Sequence, residues 1–378
     1  MRAPARGKNA MPVTLKERDF ESFFAAPFEA YGENSLYVSP MKGDLKRFLS
    51  ATENPLFSSD DEITYFTAFR DGRPIGRITA HVHGASNTQY GWNRCYFGYF
   101  DCADDAEAAG LLLKTAEDWG RRRGHAEITG NFNLTAMQQI GVQTRAFDKA
   151  PYTDLIYSPP HIARLLEENG YRPEFPMTTF ELDLKTAAPP EIGSKQQAIL
   201  DNPDFAFAPL TRALVPQRME DARLILNASF AQNPMFVPVS HEEFHFQARD
   251  MKWVMDPRIS AVLNYRGEPA ACIICIPDLN PFLRKTRSRI GLTTPWHFMM
   301  HKFTCKRAVL IFSGVRPDLQ GQGVNPVVLR RIVLALKAAG YETLGNTWIS
   351  DSNKASLAQK QKSNARPLHR LHLFRKDL

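Results

Sequence analysis

Cysteine is scarce in this chain. Five in 378 residues cannot build the disulfide framework of a small secreted domain, and a second CxxC that would pair with Cys272-x-x-Cys275 in a zinc ribbon is missing. That single CxxC lies in the apolar run Ala270-Ala271-Cys272-Ile273-Ile274-Cys275-Ile276, so two buried thiols on a strand are expected, in a reducing compartment. Long apolar runs are absent too: none approaches the roughly 18 residues of a membrane-spanning helix. The N-terminal Met1-Arg2-Ala3-Pro4-Ala5-Arg6-Gly7-Lys8 is basic with no apolar stretch behind it. It reads as a loose tail, with Met11 an alternative start, and not as a secretory signal. A cytoplasmic protein is the expectation. Two nucleotide signatures are also lacking. No Lys-Ser/Thr pair follows Gly323, which excludes a Walker A loop, and Pro326 breaks the GxGxxG dinucleotide pattern.

What is present is the composition of a globular protein, 43% apolar and 23% charged, in a chain long enough for two domains. The 26 prolines argue against long uninterrupted helices, and the net charge of +7 favours an anionic partner: a nucleotide phosphate, a lipid head-group or nucleic acid. Apolar periodicity gives helices around 20–28 and 40–49, then an alternating strand at 63–70. The turn Asp71-Gly72 follows, with a return strand to His83 and a strand at 96–100. A helix at 105–123 stops at Gly124, a strand covers 125–130, a helix 161–169 stops at Gly170, and a strand covers 178–184. The polar, proline-containing stretch 186–206 reads as a linker between domains 1–185 and 207–378. The order then repeats: helix 216–230, a helix opened by Ser240 with Glu243 at capping-box spacing, hairpin 259–276, strand 308–312, helix 326–339, strand 343–349 and closing strand 366–376. The halves share an order of elements, not a recognisable sequence.

The second half turns on one stretch. The apolar run Ala308-Val309-Leu310-Ile311-Phe312 suits a strand covered on both faces, and Ser313-Gly314-Val315-Arg316-Pro317-Asp318-Leu319 leads to Gln320-Gly321-Gln322-Gly323. Two glycines one residue apart let main-chain N–H groups converge on one point. Asn325 as N-cap and Pro326 as first helical residue would put this loop at a helix N-terminus, a good phosphate site. Strand, Val315-x-Pro317, Gln320-x-x-Gly323 and helix in this order resemble the acyl-CoA motif of the GNAT superfamily of N-acyltransferases, Gln/Arg-x-x-Gly-x-Gly/Ala, with Asn325 where that family prefers Gly or Ala. Asn353, after the strand ending Thr347-Trp348-Ile349, matches a second GNAT signature; Lys360 occupies the place of its tyrosine.

The resemblance implies an α/β fold of two tandem GNAT-like domains around mixed sheets. The first would lack a working CoA site, since Asp101-Cys102-Ala103-Asp104-Asp105 stands where a glycine loop would. It further implies acyl-CoA as co-substrate, held by Ser313, Gly314, Val315, Gln320, Gly321, Gln322, Gly323, Val324, Asn325 and Asn353. Amide formation needs an amine stripped of its proton, and the long insert 277–306 offers Asp278, His297 and His301 as catalytic candidates. No metal is expected, because the pair His297 and His301 has no acidic third ligand at the right spacing. The same insert is basic at Arg284, Lys285, Arg287 and Arg289, then rich in Leu292, Trp296, Phe298, Met299, Met300 and Phe303. Such a segment fits peripheral contact with an anionic membrane. With the tandem layout and Trp348-Ile349-x-Asp351-x-Asn353, it resembles the sphingolipid-forming branch of that superfamily. That implies transfer of a long-chain acyl group to a sphingoid base, 3-oxosphinganine or sphinganine. A small-molecule acetyltransferase using acetyl-CoA, or a non-catalytic binder of anionic lipid or nucleic acid, are the alternatives; no nucleic-acid partner is expected.

Overall fold

The computed structural model describes residues 11–231, 233 and 235–378; the basic tail read from residues 1–8 lies outside them. Contacts divide the chain into two units, and the division is not the linear one that composition implies. The first unit takes the residues up to Ala150, then Ile156–Pro176 and the C-terminal Leu371–Leu378; the second takes Pro151–Leu155 and Met177–Arg370. The reason is strand pairing. The strand Arg172–Asp183 enters the second unit, where Met177 to Asp183 pair with Thr343–Ser350. The strand Arg366–Asp377 ends in the first unit, where Phe374 to Asp377 pair with Glu127–Gly130.

In the first unit the strands Thr14–Glu17, Ile63–Arg70, Arg73–His81 and Arg94–Cys102 are antiparallel neighbours. Glu127–Gly130 then joins Arg94–Cys102 in parallel. The helix Ala106–Arg122 lays Leu112, Leu113, Ala116 and Trp119 on this sheet beside Phe97, Ile128 and Phe374, all buried. Their spacing is that of one helical face.

The second unit repeats the plan. Phe205–Phe207, Ala261–Tyr265, Glu268–Pro277 and Arg307–Val315 are antiparallel neighbours. Thr343–Ser350 joins Arg307–Val315 in parallel. The helix Val324–Ala338 covers one face with Val327, Val328, Ile332 and Leu336, against Ala271, Ile273, Cys275 and Ala308. The helix Val215–Phe230 crosses the strand at Gly314, where a Cβ would meet Ser229 Oγ at 2.8 Å and Ile225 at 3.0 Å, so only glycine fits. Cys272 and Cys275 are buried as expected, and burial pushes the Cys272 thiol up to about 12.

The stretch read as a linker, 186–206, is not loose. It carries the helix Ser194–Asp201, whose Ile199 is buried with Leu319 and Val324, and Arg330 donates to the Pro190 carbonyl at 2.8 Å. A single buried apolar residue, Ile199, anchors this helix, a signal too thin to distinguish from a polar connector. The insert 277–306 likewise folds, as helices Asn280–Thr286 and Thr294–Thr304 joined through Phe282 and Phe298, ring centroids 5.4 Å apart.

Candidate functional site

The parallel ladder between Arg307–Val315 and Thr343–Ser350 runs from Arg307 opposite Thr343 to Leu310 opposite Asn346, and ends there. Each strand keeps its outer partner further on: Phe312 to Val315 stay paired with Ala271 to Ile274, and Ile349 and Ser350 with Thr178 and Met177. The two strands therefore part, leaving a wedge. A bulge on each produces it. Ile311 is the extra residue between Leu310 opposite Cys275 and Phe312 opposite Ile274. Thr347 and Trp348 likewise fall where the register shifts between Asn346 and Ile349. A bulge bends its strand and raises the local twist. The wedge also corrects one expectation. Ala308, Val309 and Leu310 are buried, but Ile311 and Phe312 are only half-buried because the cover on one side has gone.

At the end of the wedge lies the glycine loop. Gly321 has φ +73° and a Cβ there would meet nothing within 4 Å, so the turn is both left-handed and open. The helix begins one step earlier than expected: Gly323, at φ +93°, is the N-cap and Val324 the first helical residue, which places Asn325 and Pro326 inside the first turn. No side chain caps this end, so its N–H groups stay available to an anion. The glutamines brace the loop from outside: Gln320 Nε2 donates to the Val315 carbonyl at 2.9 Å and Gln322 Nε2 to the Asp318 carbonyl at 2.6 Å. Arg316 grips Asp318 at 2.7 and 2.9 Å and holds that carboxyl below its usual range.

The first unit has the same wedge, and it is filled. Its parallel ladder runs from Arg94 opposite Glu127 to Tyr96 opposite Thr129. Past it, Asn133 Oδ1 accepts the N–H of Tyr99 at 2.8 Å and Asn131 Oδ1 that of Phe100 at 3.0 Å. Asn131 Nδ2 donates to Asn133 Oδ1 at 3.0 Å, and Asn133 Nδ2 to Gln139 Oε1 at 2.9 Å, which locks both carboxamides. The helix end is taken as well, because Asp105 Oδ1 accepts from Glu107 N and Ala108 N, both at 3.1 Å. Counted from the first paired residue, Tyr99 and Phe100 correspond to Phe312 and Ser313. Tyr99 and Phe100 fall where the first unit's register breaks, whereas Phe312 and Ser313 stay paired with Ile274 and Ile273; among the described residues no side chain bonds to the N–H of Phe312 or Ser313.

Of the residues expected to hold the co-substrate, 313–315 line the wedge and 320–325 form the loop and helix start. Asn353 is the N-cap of helix Lys354–Lys362, its Oδ1 accepting from Ser356 N at 3.1 Å. Seven residues on, Lys360 is half-buried, and burial pushes its ammonium down to about 8, with the buried Cys275 thiol as ionisable neighbour. Cys275 sits beside the bulge at Ile311. Lys360 and Cys275 are thus electrostatic neighbours.

The three catalytic candidates gather elsewhere. Asp278 is buried at the start of the central strand, where Oδ2 accepts from Arg307 Nε at 2.8 Å and Oδ1 from Thr153 N at 2.9 Å and Thr153 Oγ1 at 3.0 Å. Arg307 to Phe312 is about 16 Å of extended chain, so a carboxylate held there stands apart from the wedge and already carries its hydrogen bonds. His301 is buried beside Phe282, ring centroids 6.1 Å apart, and burial lowers its pKa. His297 lies one turn away, half-buried, on the same helix.

What the sequence reading missed is on the other side. Ser240 and Glu243 do form the expected capping box. The helix they open, His241–Gln247, sets Phe244 on Phe312, ring centroids 5.8 Å apart, and carries two histidines at helical spacing beside Glu220. The spacing His241-Glu242-x-x-His245 was legible; the third residue, on another helix, was not.

No family model matches the chain. Two solved structures show its fold. A GCN5-related N-acetyltransferase from Sphaerobacter thermophilus superposes with a TM-score of 0.55 at 12% identity, covering 97% of this chain and 95% of that one. A tandem GNAT protein from the clavulanic acid biosynthesis pathway does so with a TM-score of 0.54 at 10% identity, covering 97% and 98%. The fold is the tandem GNAT fold. Among curated proteins, the chain is 23% identical to Protein YghO of Escherichia coli K12 over 374 residues, 96% of this chain and 94% of that protein. It is 24% identical to the bacterial ceramide synthase of Caulobacter vibrioides over 345 residues, 89% of each.

Proposed function

We propose that this protein is an acyl-CoA-dependent N-acyltransferase whose second unit moves a long-chain acyl group to the amine of a sphingoid base. The observation that carries the reading is the contrast between the two wedges: asparagines fill one, and the other is open and ends on an uncapped, glycine-turned helix. The pyrophosphate of the co-substrate would lie on the N–H groups of residues 321–325. The pantetheine arm would complete the broken ladder along 312–315, and a main-chain N–H there would take the developing oxyanion.

The chemistry then needs few side chains. The amine lone pair attacks the thioester carbonyl, the C–N bond forms, and the C–S bond breaks to release a thiolate. Lys360, near 8, donates its proton to that sulfur. A thiol titrates at about 8.5, so the transfer is close to even in energy. The proton lost by the amine passes to solvent, and Lys360 regains one from it.

The lipid substrate is supported by the relative that is a ceramide synthase and by the insert. Leu292 is fully exposed, Phe303 is 79% and Trp296 58% exposed, with Ile290 and Met299 beside them in sequence. Large apolar side chains in such numbers on one segment mark an interaction surface. With Arg284, Lys285, Arg287 and Arg289 just before them, anionic bilayer is the fitting partner. No helix of the described residues is long and apolar enough to cross a membrane, so the contact would be peripheral. Incubation of the pure protein with mixed acyl-CoAs and amines, followed by mass spectrometry, tests the reading. Long-chain amides of sphingoid bases are expected; acetylated small amines alone would overturn the lipid assignment, and no amide at all the enzyme.

A further inference from the structure

The helices Val215–Phe230 and His241–Gln247 bring together a group with no part in acyl transfer as derived above. His241 Nδ1 lies 3.1 Å and His245 Nε2 3.2 Å from one oxygen, Glu220 Oε2. The ligand atoms of all three residues fall within 4.8 Å of one another. A tetrahedral ion with bonds of about 2.0–2.1 Å needs ligand atoms about 3.3 Å apart. The two rings lie one turn apart with centroids 4.1 Å apart and planes tilted by 39°, so both imidazoles leave one face of their helix toward the same point.

We propose that Glu220, His241 and His245 form a zinc site with at least one position open to water. Two imidazoles and one carboxylate make a donor set suited to Zn²⁺, and unsuited to Mg²⁺, which prefers oxygen throughout. The site is held ready by contacts that do not depend on the ion. Arg223 Nη2 donates to Glu220 Oε1 at 2.6 Å and its Nε lies 3.1 Å from Oε1 and 3.0 Å from Oε2, which fixes the carboxylate with Oε2 shared between the guanidinium and the histidines. Arg223 Nη1 and Asn227 Nδ2 each donate to the Val239 carbonyl at 3.0 Å, and Val239 N donates to Asn227 Oδ1 at 3.0 Å. This clamp fixes the start of the histidine helix against the glutamate helix, and the Ser240 capping box fixes its first turn. Phe244, between the two histidines, rests on Phe312, so a bound ion would brace the helix that covers the open strand.

The test uses the full chain stripped of metal, titrated with ZnCl₂ and read by equilibrium dialysis with elemental analysis. One Zn²⁺ per chain is expected, unaffected by excess Mg²⁺. His241→Ala or His245→Ala should weaken it by more than the roughly 10- to 100-fold that loss of a ligand-orienting group costs; Arg223→Ala should fall within that range. Should these variants misfold, wild-type protein answers instead: Zn²⁺ should protect His241 and His245 from diethyl pyrocarbonate, mapped by mass spectrometry. The site is refuted by binding that survives the double histidine variant, by the absence of stoichiometric binding, or by unprotected histidines. None of these readouts involves acyl transfer, so the site stands or falls separately from the proposed activity.

Discussion

Asn133 holds the main-chain N–H of Tyr99 at 2.8 Å, and Asn131 holds that of Phe100 at 3.0 Å. In each case a side chain from beyond the shorter strand stands in for the ladder that has ended. Both asparagines are buried, 5% and 3% exposed. Asn133→Ala strands a buried N–H without admitting solvent, at a cost of about 1–3 kcal/mol. Denaturant unfolding should show the loss in the first unit, while turnover below the transition keeps its wild-type value. A variant with wild-type stability would mean that the carboxamides merely accompany the wedge.

The open glycine turn gives the opposite test. Gly321 sits at φ +73° with free space around its Cβ position, whereas a Cβ on Gly323 would lie 2.8 Å from Gln196 Nε2. In Gly321→Val the added Cβ meets no protein atom within 4 Å; the change costs the left-handed backbone, at least about 1–2 kcal/mol, and sets an isopropyl group where phosphate is proposed to lie. Calorimetry should show acyl-CoA affinity at least ~10-fold lower with only a small shift in the thermal midpoint, since about 1 kcal/mol moves it by roughly 2–4 °C in a larger domain. Gly323→Ala should lose stability as well, and adding Gln196→Ala should recover part of it. Unchanged affinity in Gly321→Val would remove the loop from the site.

How far these features could be read beforehand follows their range in sequence. The loop 320–323, the hairpin at Asp71-Gly72 and the capping box at Ser240 are local, and periodicity or turn chemistry displays them. Helix starts shift by a residue or two for local reasons as well: Gly323 reached the left-handed cap before Asn325 could serve. The Asn131 and Asn133 plug joins groups 31 and 34 residues apart, and a pair of asparagines in sequence does not say which N–H groups they will meet. His297 and His301 drew attention because their spacing was visible, yet their helix packs on Phe282. Glu220 comes 21 residues before His241, on a helix whose rotation no pattern fixes.

The exposed insert makes a prediction about surfaces. Replacing Leu292, Trp296 and Phe303 together with serine removes apolar groups that touch little of the protein, so the fold should keep its stability. Sedimentation with vesicles rich in anionic lipid should fall at least ~10-fold. Charge reversal at Arg284, Lys285 and Arg289 should reduce binding by about 1 kcal/mol per residue, and chiefly at low salt. Equal sedimentation of wild type and triple variant would assign the patch to another partner.

Lys360 carries the last prediction. An ammonium pushed down to about 8 by burial is a proton donor below that pH and loses the role above it. The rate of the acyl-transfer step should therefore climb as the acceptor amine deprotonates, then fall on an alkaline limb near 8. Folding shows the matching sign. The folded pKa lies below the ordinary lysine value of 10.5, so the unfolded chain binds the extra proton between about 8 and 10.5, and stability rises with pH across that window. Lys360→Met should abolish both effects: the alkaline limb disappears, the rate below pH 8 drops on the order of 10²-fold as expected for a lost general acid, and the chain becomes more stable at pH 7. Retention of the limb in Lys360→Met would place the titrating group on the substrates and leave the thiolate to depart unprotonated.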